Sequence, residues 1–424
     1  MRRSTIVTAA LLALLAACDV ATEPVDDEAP LDEIEASTDG APLTASIPAN
    51  GWRTHEVTIT QTSDLVAVLD WTSSVNLNLF LYDPAGTLVD YSNGTATRPE
   101  EVSRDSAAAG TWKLGIKNKS SVSATYTLSV TATPKSAPKY PAQPRAGRLF
   151  WGAAISGNGD PVARHEDPSG YVLSIHRTYF QWDQRTGSMI NMARDDHAHG
   201  RLPWVSIKPR SWAAMASGQY DSEIDAMLRA LQGLGKPVWL TVHHEPEGGG
   251  GVNAPDDPAG PAGHRAMNKR IRQRMTALGV KNVALAPILM SWTWTSASGR
   301  NPDEWWEPGI YDFLGIDTYS NSESTLLTSN WYTVRAWAAA RGVDVAVGEW
   351  GLRGTDTLAG QLVRAWYDGA ANSYNDGRGA RVVGLCAFDS NLNSPDGGWE
   401  LMGAQLTVFR QLLGDPRTAH IGDL

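Results

Sequence analysis

Two segments of this chain run an apolar stretch into a glutamate: Val238-Trp239-Leu240-Thr241-Val242-His243-His244-Glu245-Pro246 and Val345-Ala346-Val347-Gly348-Glu349-Trp350. Apolar runs of this length read as buried strands. A carboxylate at the C-terminal end of such a strand is how a (β/α)₈ enzyme furnishes its active site. Two of them can flank one glycosidic bond, one protonating the leaving oxygen and the other attacking the anomeric carbon. A retaining reaction needs its carboxyls roughly 5–5.5 Å apart. Here 104 residues separate them in sequence, so the chemistry requires a fold that gathers strand ends on one rim.

Other side chains are candidates around that pair. His244, beside Glu245, either orients the acid/base, touches a sugar hydroxyl or packs in the core; His243 alternates away along the strand. Trp292 and Trp294 follow the fifth strand and Trp350 follows Glu349, placing aromatic faces where they stack on pyranose rings or fill the core. Asp389 and Trp399, after the last strand, are expected to line the same cleft. His176-Arg177, near the end of the second strand, either reaches the sugar or is ion-paired. Asp196-His197-x-His199 has the composition of a metal site, but it falls in a polar stretch read as a loop and lacks further ligands. No metal or cofactor is expected.

The elements that position these residues follow from the texture beyond residue 148. Strands are expected over Leu149–Ile155, Val172–Phe180, Pro203–Ile207, Pro237–His243, Val283–Met290, Phe313–Thr318, Val343–Val347 and Val382–Phe388. Amphipathic helical patterns between them cover Asp221–Gln232, His264–Leu278, Thr325–Ala340, Leu358–Ala371 and Ala404–Leu413. Eight strands alternating with helices fit one α/β unit, a (β/α)₈ TIM barrel over 149–424. A doubly wound open sheet would normally carry a Gly-rich phosphate loop after its first strand, which Gly157-x-Gly159 does not supply.

On that count Glu245 ends strand four and Glu349 strand seven, which resembles the large superfamily of retaining (β/α)₈ glycosidases. Most of its members carry Asn before the acid/base, whereas glycoside hydrolase family 26 carries His-Glu, as His244-Glu245 does. Gly348-Glu349-Trp350-Gly351 resembles the family's nucleophile segment. Trp305-Trp306-Glu307-Pro308-Gly309 with Asp312-Phe313-Leu314-Gly315-Ile316-Asp317-x-Tyr319 is similar to its approach to strand six. The resemblance implies Glu245 as acid/base, Glu349 as nucleophile and Tyr319 as hydrogen-bond donor to the nucleophile. Mannanases of the family carry Arg four residues before the acid and an Asn-Gly and Trp-rich loop after it. This chain has Thr241 there, and Glu247 with Gly248–Gly251. With those subsite residues missing, β-1,4-mannan stands as a default substrate and no more, with β-1,3-xylan or mixed-linkage β-glucan as alternatives. A non-catalytic surface glycan-binding lipoprotein is the reading from another class.

The first 148 residues have a different character. Arg2 and Arg3 precede the short apolar run Ile6–Ala17, the shape of a signal peptide (residues 1–17). The ending Leu15-Ala16-Ala17-Cys18 resembles the lipobox of bacterial lipoproteins, which implies acylation at Cys18 and attachment to a membrane of the cell envelope; the leaflet is left open. Cys386 is the only other cysteine, so no disulfide is expected. Residues 18–45 hold nine acids and no Lys or Arg, an acidic tether that cannot bury enough apolar surface to fold. Without these residues and Arg2/Arg3, 34 basic and 37 acidic side chains remain from residue 46 onward, a net charge of −3 that excludes a nucleic-acid partner. Residues 46–133 alternate short strands (His55–Thr60, Leu65–Trp71, Leu77–Tyr82, Thr111–Asn118, Thr125–Val130) with turns, a small β-sandwich. The runs Leu65–Trp71, Leu77–Pro84 and Ala109–Trp112 resemble the bacterial pre-peptidase C-terminal domain, which implies a non-catalytic spacer or weak binding module. Residues 134–148 read as a stiff Pro-rich linker. The partners expected are a polysaccharide and, through Cys18, a membrane; the chain is expected to be a monomer.

Overall fold

The computed structural model describes residues 31–94, 98–134, 138–248, 256–391 and 398–423. The expected signal peptide and Cys18 lie outside them. The described residues form two compact units divided between Ala137 and Pro138.

The first unit is two sheets of short strands around one apolar core. One sheet has the order β1-β3-β8-β5-β6, the other β2-β9-β4-β7. The strands are β1 Leu31–Glu35, β2 Leu43–Ile47, β3 Trp52–Ile59, β4 Ser63–Trp71, β5 Leu77–Tyr82, β6 Leu88–Ser92, β7 Glu100–Ala107, β8 Gly110–Asn118 and β9 Ala124–Pro134. Alternate residues Val57, Leu65, Leu77, Leu79, Leu81, Leu114 and Ile116 point inward and are fully buried. All five expected strands are present, with four more. Two of these, β1 and β2, fall within the stretch expected to be a solvated tether. That expectation is corrected in part: β2 pairs antiparallel with β9 from Leu43↔Leu128 to Ile47↔Ala124 and buries Ile47. Backbone pairing and one apolar anchor outweigh the acidic composition there.

In the second unit, β10 Phe150–Ile155, β11 Ile175–Gln181, β12 Leu202–Lys208, β13 Val238–Val242, β14 Val283–Leu285, β15 Ile288–Met290, β16 Leu314–Ser320, β17 Val345–Leu352 and β18 Val382–Asp389 form one parallel sheet. The sheet's two end strands, β14 and β15, are consecutive in the chain, separated only by Ala286-Pro287. They are two halves of one strand: the first pairs with β13 and the second with β16, so the sheet curls round and closes. Proline has no N–H to give the ladder, which is why the strand breaks there. The expected Asp221–Gln232 helix is present as such, and the others differ only at their ends.

The barrel has two apolar layers. Phe150, Ile175, Trp204, Trp239, Ala284, Phe313, Ala346 and Cys386 fill its interior. Residues of the opposite parity, such as Trp151, Val205, Leu240, Val347 and Leu385, pack under the helices. Two expectations are corrected in this unit. Asp196-His197 lies in the last turn of the helix Ser188–Ala198, not in a loop, because the buried Met189, Ile190 and Ala193 supply a helical face. Residues 138–148, within the segment expected to be a stiff, extended linker, dock on the barrel: the Tyr140 hydroxyl donates to Asp344 at 2.7 Å, its ring lies 5.3 Å from Phe313, and Pro141 accepts from the Trp239 indole N–H at 3.1 Å. Phe313 and Trp239 stand at the strand starts, so this segment closes the end of the barrel opposite the carboxylates.

Candidate active site

Glu245 and Glu349 line one cleft of about 530 Å³ at the C-terminal ends of the strands, with Tyr179, His244, Tyr319, Phe388 and Trp399. Both glutamates owe their direction to local irregularity. Simple alternation from the interior Ala346 would place Gly348 inward and turn Glu349 out. Instead β17 slips register against β16 between Val347 and Glu349, a bulge that swings Glu349 into the barrel. Gly348 permits it, since a Cβ there would come within 2.9 Å of Asp317 Oδ1 and 3.3 Å of Arg177 Nε. Just past the end of β13, His243 and Glu245 adopt left-handed backbone conformations, with φ of 63° and 48°. Side chains other than glycine take this region at a cost and mainly at functional sites. The turn at His243 sends its imidazole outward, between the Trp212 indole N–H at 2.8 Å and Asp256 at 3.1 Å. His244 and Glu245 then face the cleft, and the Glu245 amide donates to the Ile288 carbonyl at 2.8 Å.

The two carboxyls have different surroundings. Glu349 accepts from the Tyr319 hydroxyl at 2.5 Å and from the Tyr179 hydroxyl at 2.8 Å. Burial, then the charges of Glu349 and Glu247, push Glu245 up to about 8, so it holds its proton at neutral pH. His244 is held neutral, well below its ordinary range, by burial and then by Arg177. Glu247 is buried and accepts from the Met290 N–H at 2.9 Å and the Thr293 hydroxyl at 2.8 Å; burial raises it to about 7. Beneath the pair, Arg177 and Asp317 are buried with no hydrogen-bond partner on any side-chain polar atom. Arg177 is the cation that opposes the upward shift at both Glu245 and Asp317.

Of the residues picked from sequence, Glu245, Glu349, His244, Tyr319 and Trp399 meet in this cleft. The Trp399 ring stands 4.7 Å from Tyr319 and 3.6 Å from the Arg353 guanidinium. Four others do not line it. Trp350 is in the core, its indole 5.4 Å from Trp151, because it follows the inward Glu349 and points to the helices. Asp389 likewise alternates with the cleft residue Phe388; it is buried under Arg164 (2.8 Å) and His165 (2.9 Å). Trp294 packs edge-on against Trp337, and Trp292 is an exposed ring under Arg300. Tyr179 was not picked out; its signal was the alternation from Ile175 through Arg177. Asn158 grips the Tyr179 backbone with both ends of its amide, at 2.8 and 3.0 Å. The metal-like trio is engaged elsewhere: Asp196 binds His176 at 2.8 Å, and His197 meets the Pro237 carbonyl. Among the described residues no three His, Cys, Asp or Glu side chains are gathered for a metal.

No family model matches the chain. Among solved structures it is similar to a GH26-CBM35 β-(1,4)-mannanase of Podospora anserina, with 12% identity over 91% of this chain and 98% of that one, at a TM-score of 0.43. The catalytic domain of a Bacillus sp. JAMB-750 GH26 endo-β-1,4-mannanase is similar at 14% identity, over 65% of this chain and 88% of that one, at a TM-score of 0.46. The pre-peptidase C-terminal domain of a Bacillus anthracis collagenase matches 25% of this chain along its whole length, at 13% identity and a TM-score of 0.22. These are likenesses of outline.

Proposed function

We propose that the second unit is a retaining glycoside hydrolase acting on a β-linked polysaccharide, with β-1,4-mannan as the default polymer. The observation that carries the reading is the contrast between the two glutamates of one cleft: Glu349 bonded by two tyrosine hydroxyls, Glu245 kept protonated by burial and neighbouring charge. That is the division of labour a double displacement requires. Glu349 attacks the anomeric carbon as Glu245 gives its proton to the departing oxygen, forming a glycosyl-enzyme. Glu245, now a carboxylate, takes a proton from water, which attacks the same carbon and releases Glu349. The residues resembling family 26 (His244-Glu245, Gly348-Glu349-Trp350 and Asp317-x-Tyr319) support the same assignment. No step needs a metal or a cofactor.

The test is product release from β-mannan, β-1,3-xylan, mixed-linkage glucan and cellulose. Glu349→Ala should abolish it with the fold intact. Glu245→Ala should slow polymers far more than aryl glycosides with good leaving groups, which need no proton; equal loss on both would sink the acid/base role. The first sugar released should carry the substrate's own anomeric configuration. Export and acylation at Cys18 are part of the same proposal: radiolabelled palmitate should enter the full chain and not Cys18→Ser.

A further inference from the structure

The outward face of the first unit's β1-β3-β8-β5-β6 sheet carries a band of aromatic rings. Register places Thr54, Gly115, Phe80 and Tyr91 in one row across β3, β8, β5 and β6, with Trp52, Lys117 and Asn78 in the next. Trp52 leans over Gly115, where a Cβ would collide with the indole, and its ring stands 5.3 Å from Phe80. Phe80 in turn stands 6.4 Å from Tyr91, at an interplanar angle of 21°. Tyr91 is 56% exposed. The outer face of the other sheet is unlike this: Thr127, Ser129 and Thr131 of β9 stand beside Asp70, Val68 and Val66 of β4, with no ring among them. An exposed antiparallel face ordinarily reads as polar, so a run of three rings on one face and none on the other calls for an occupant.

A second observation indicates its chemistry. Asn78 is only 6% exposed, and its amide oxygen has no hydrogen-bond partner. A buried acceptor left unpaired is costly unless a ligand completes it. A pyranose supplies both needs, with an apolar C–H face for the rings and hydroxyl donors at its edge. A dry protein contact would leave the Asn78 oxygen unpaired. It would also press against the ion pair between Lys113 and Glu56, which face each other in the row beyond Thr54 and Gly115.

We propose that Trp52, Phe80, Tyr91 and Asn78 form a binding platform for a β-linked glycan chain, separate from the barrel cleft. The platform stands on its own residues; only the expectation that it holds the polymer cut in the cleft rests on the proposed function. The experiment is affinity electrophoresis of the whole chain in native gels containing galactomannan, glucomannan or mixed-linkage glucan, with Glu349→Ala present so that the polymer survives. Tyr91→Ala should weaken retardation by one polymer roughly tenfold, the loss of one aromatic contact. Its thermal midpoint and, in the chain with Glu349 intact, its cleavage of short oligosaccharides should not move. The proposal is overturned if no polymer retards the parent, or if Tyr91→Ala is retarded equally. It is overturned too if the substitution instead abolishes a concentration-dependent self-association. Tyr91-dependent retardation without hydrolysis by the parent chain would remove the cleft reading alone; hydrolysis with Tyr91-independent retardation would remove the platform alone.

Discussion

Glu245 is set by what surrounds it: burial raises its proton affinity most, the charges of Glu349, Glu247 and Asp256 add to this, and Arg177 opposes it, with His244 neutral beside it. An acid whose pKa is raised works below that pKa, so activity should fall as pH rises through it. Glu247→Gln keeps an acceptor for the Met290 N–H and Thr293 but removes a negative charge. The alkaline limb of kcat/KM should therefore move to lower pH. An unmoved alkaline limb would show that burial and Glu349 alone set the acid. The glutamate pair was legible because each ends an apolar run; its directions were not. They depend on a bulge at Gly348 and a left-handed turn at His243, backbone events that leave no periodic mark on the sequence.

Alternation along strands separates the readings that hold from those that fail. All eight barrel strands were visible as apolar runs, since a parallel sheet is buried on both faces. That same double burial hides which residue faces the cleft. Trp350 and Asp389 each follow a cleft residue by one position and therefore point at the helices. Trp350→Ala should accordingly cost about 3–5 kcal/mol of stability, as removal of a large core ring does, with KM of the surviving enzyme unchanged. Trp399→Ala should show the reverse, a raised KM at an unchanged thermal midpoint, because its ring lines the cleft. Finding the two phenotypes exchanged would refute the placement of both side chains. In the first unit the missed strands are short or strongly polar, as in β7, where Glu100-Glu101-Val102-Ser103-Arg104-Asp105 holds a single apolar residue. Their apolar positions are too few for alternation to register.

Composition misled most where it described a segment without its neighbours. Residues 138–148 look like a linker because prolines and cations dominate them. Yet Asp344 gathers the Tyr140 hydroxyl at 2.7 Å, the Gln143 amide at 2.7 Å and the Arg381 guanidinium at 2.9 Å, and Arg381 also donates to the Pro144 carbonyl at 3.0 Å. The segment is thus fastened to the closed end of the barrel through one carboxylate. Burial works against the Asp344 charge, but these donors more than offset it, and its pKa lies below the ordinary value. A carboxyl whose pKa is lower folded than unfolded adds stability above the unfolded value, about 3.9. That stability is lost as pH falls through the folded one. Asp389, held at about 2 by His165 and Arg164 against its burial, acts in the same direction. Asp344→Asn keeps the shape and leaves Arg381 uncompensated. It should cost about 2–3 kcal/mol near neutral pH, below the cost for a fully buried pair because both partners keep some solvent contact. The deficit relative to the parent should shrink as both are acidified below pH 4, where the parent carboxyl protonates too. Denaturant midpoints of the two chains from pH 7 to pH 3 measure this directly. A deficit that stays constant with pH would mean that Asp344 fastens the segment by shape and neutral hydrogen bonds, with its charge contributing nothing.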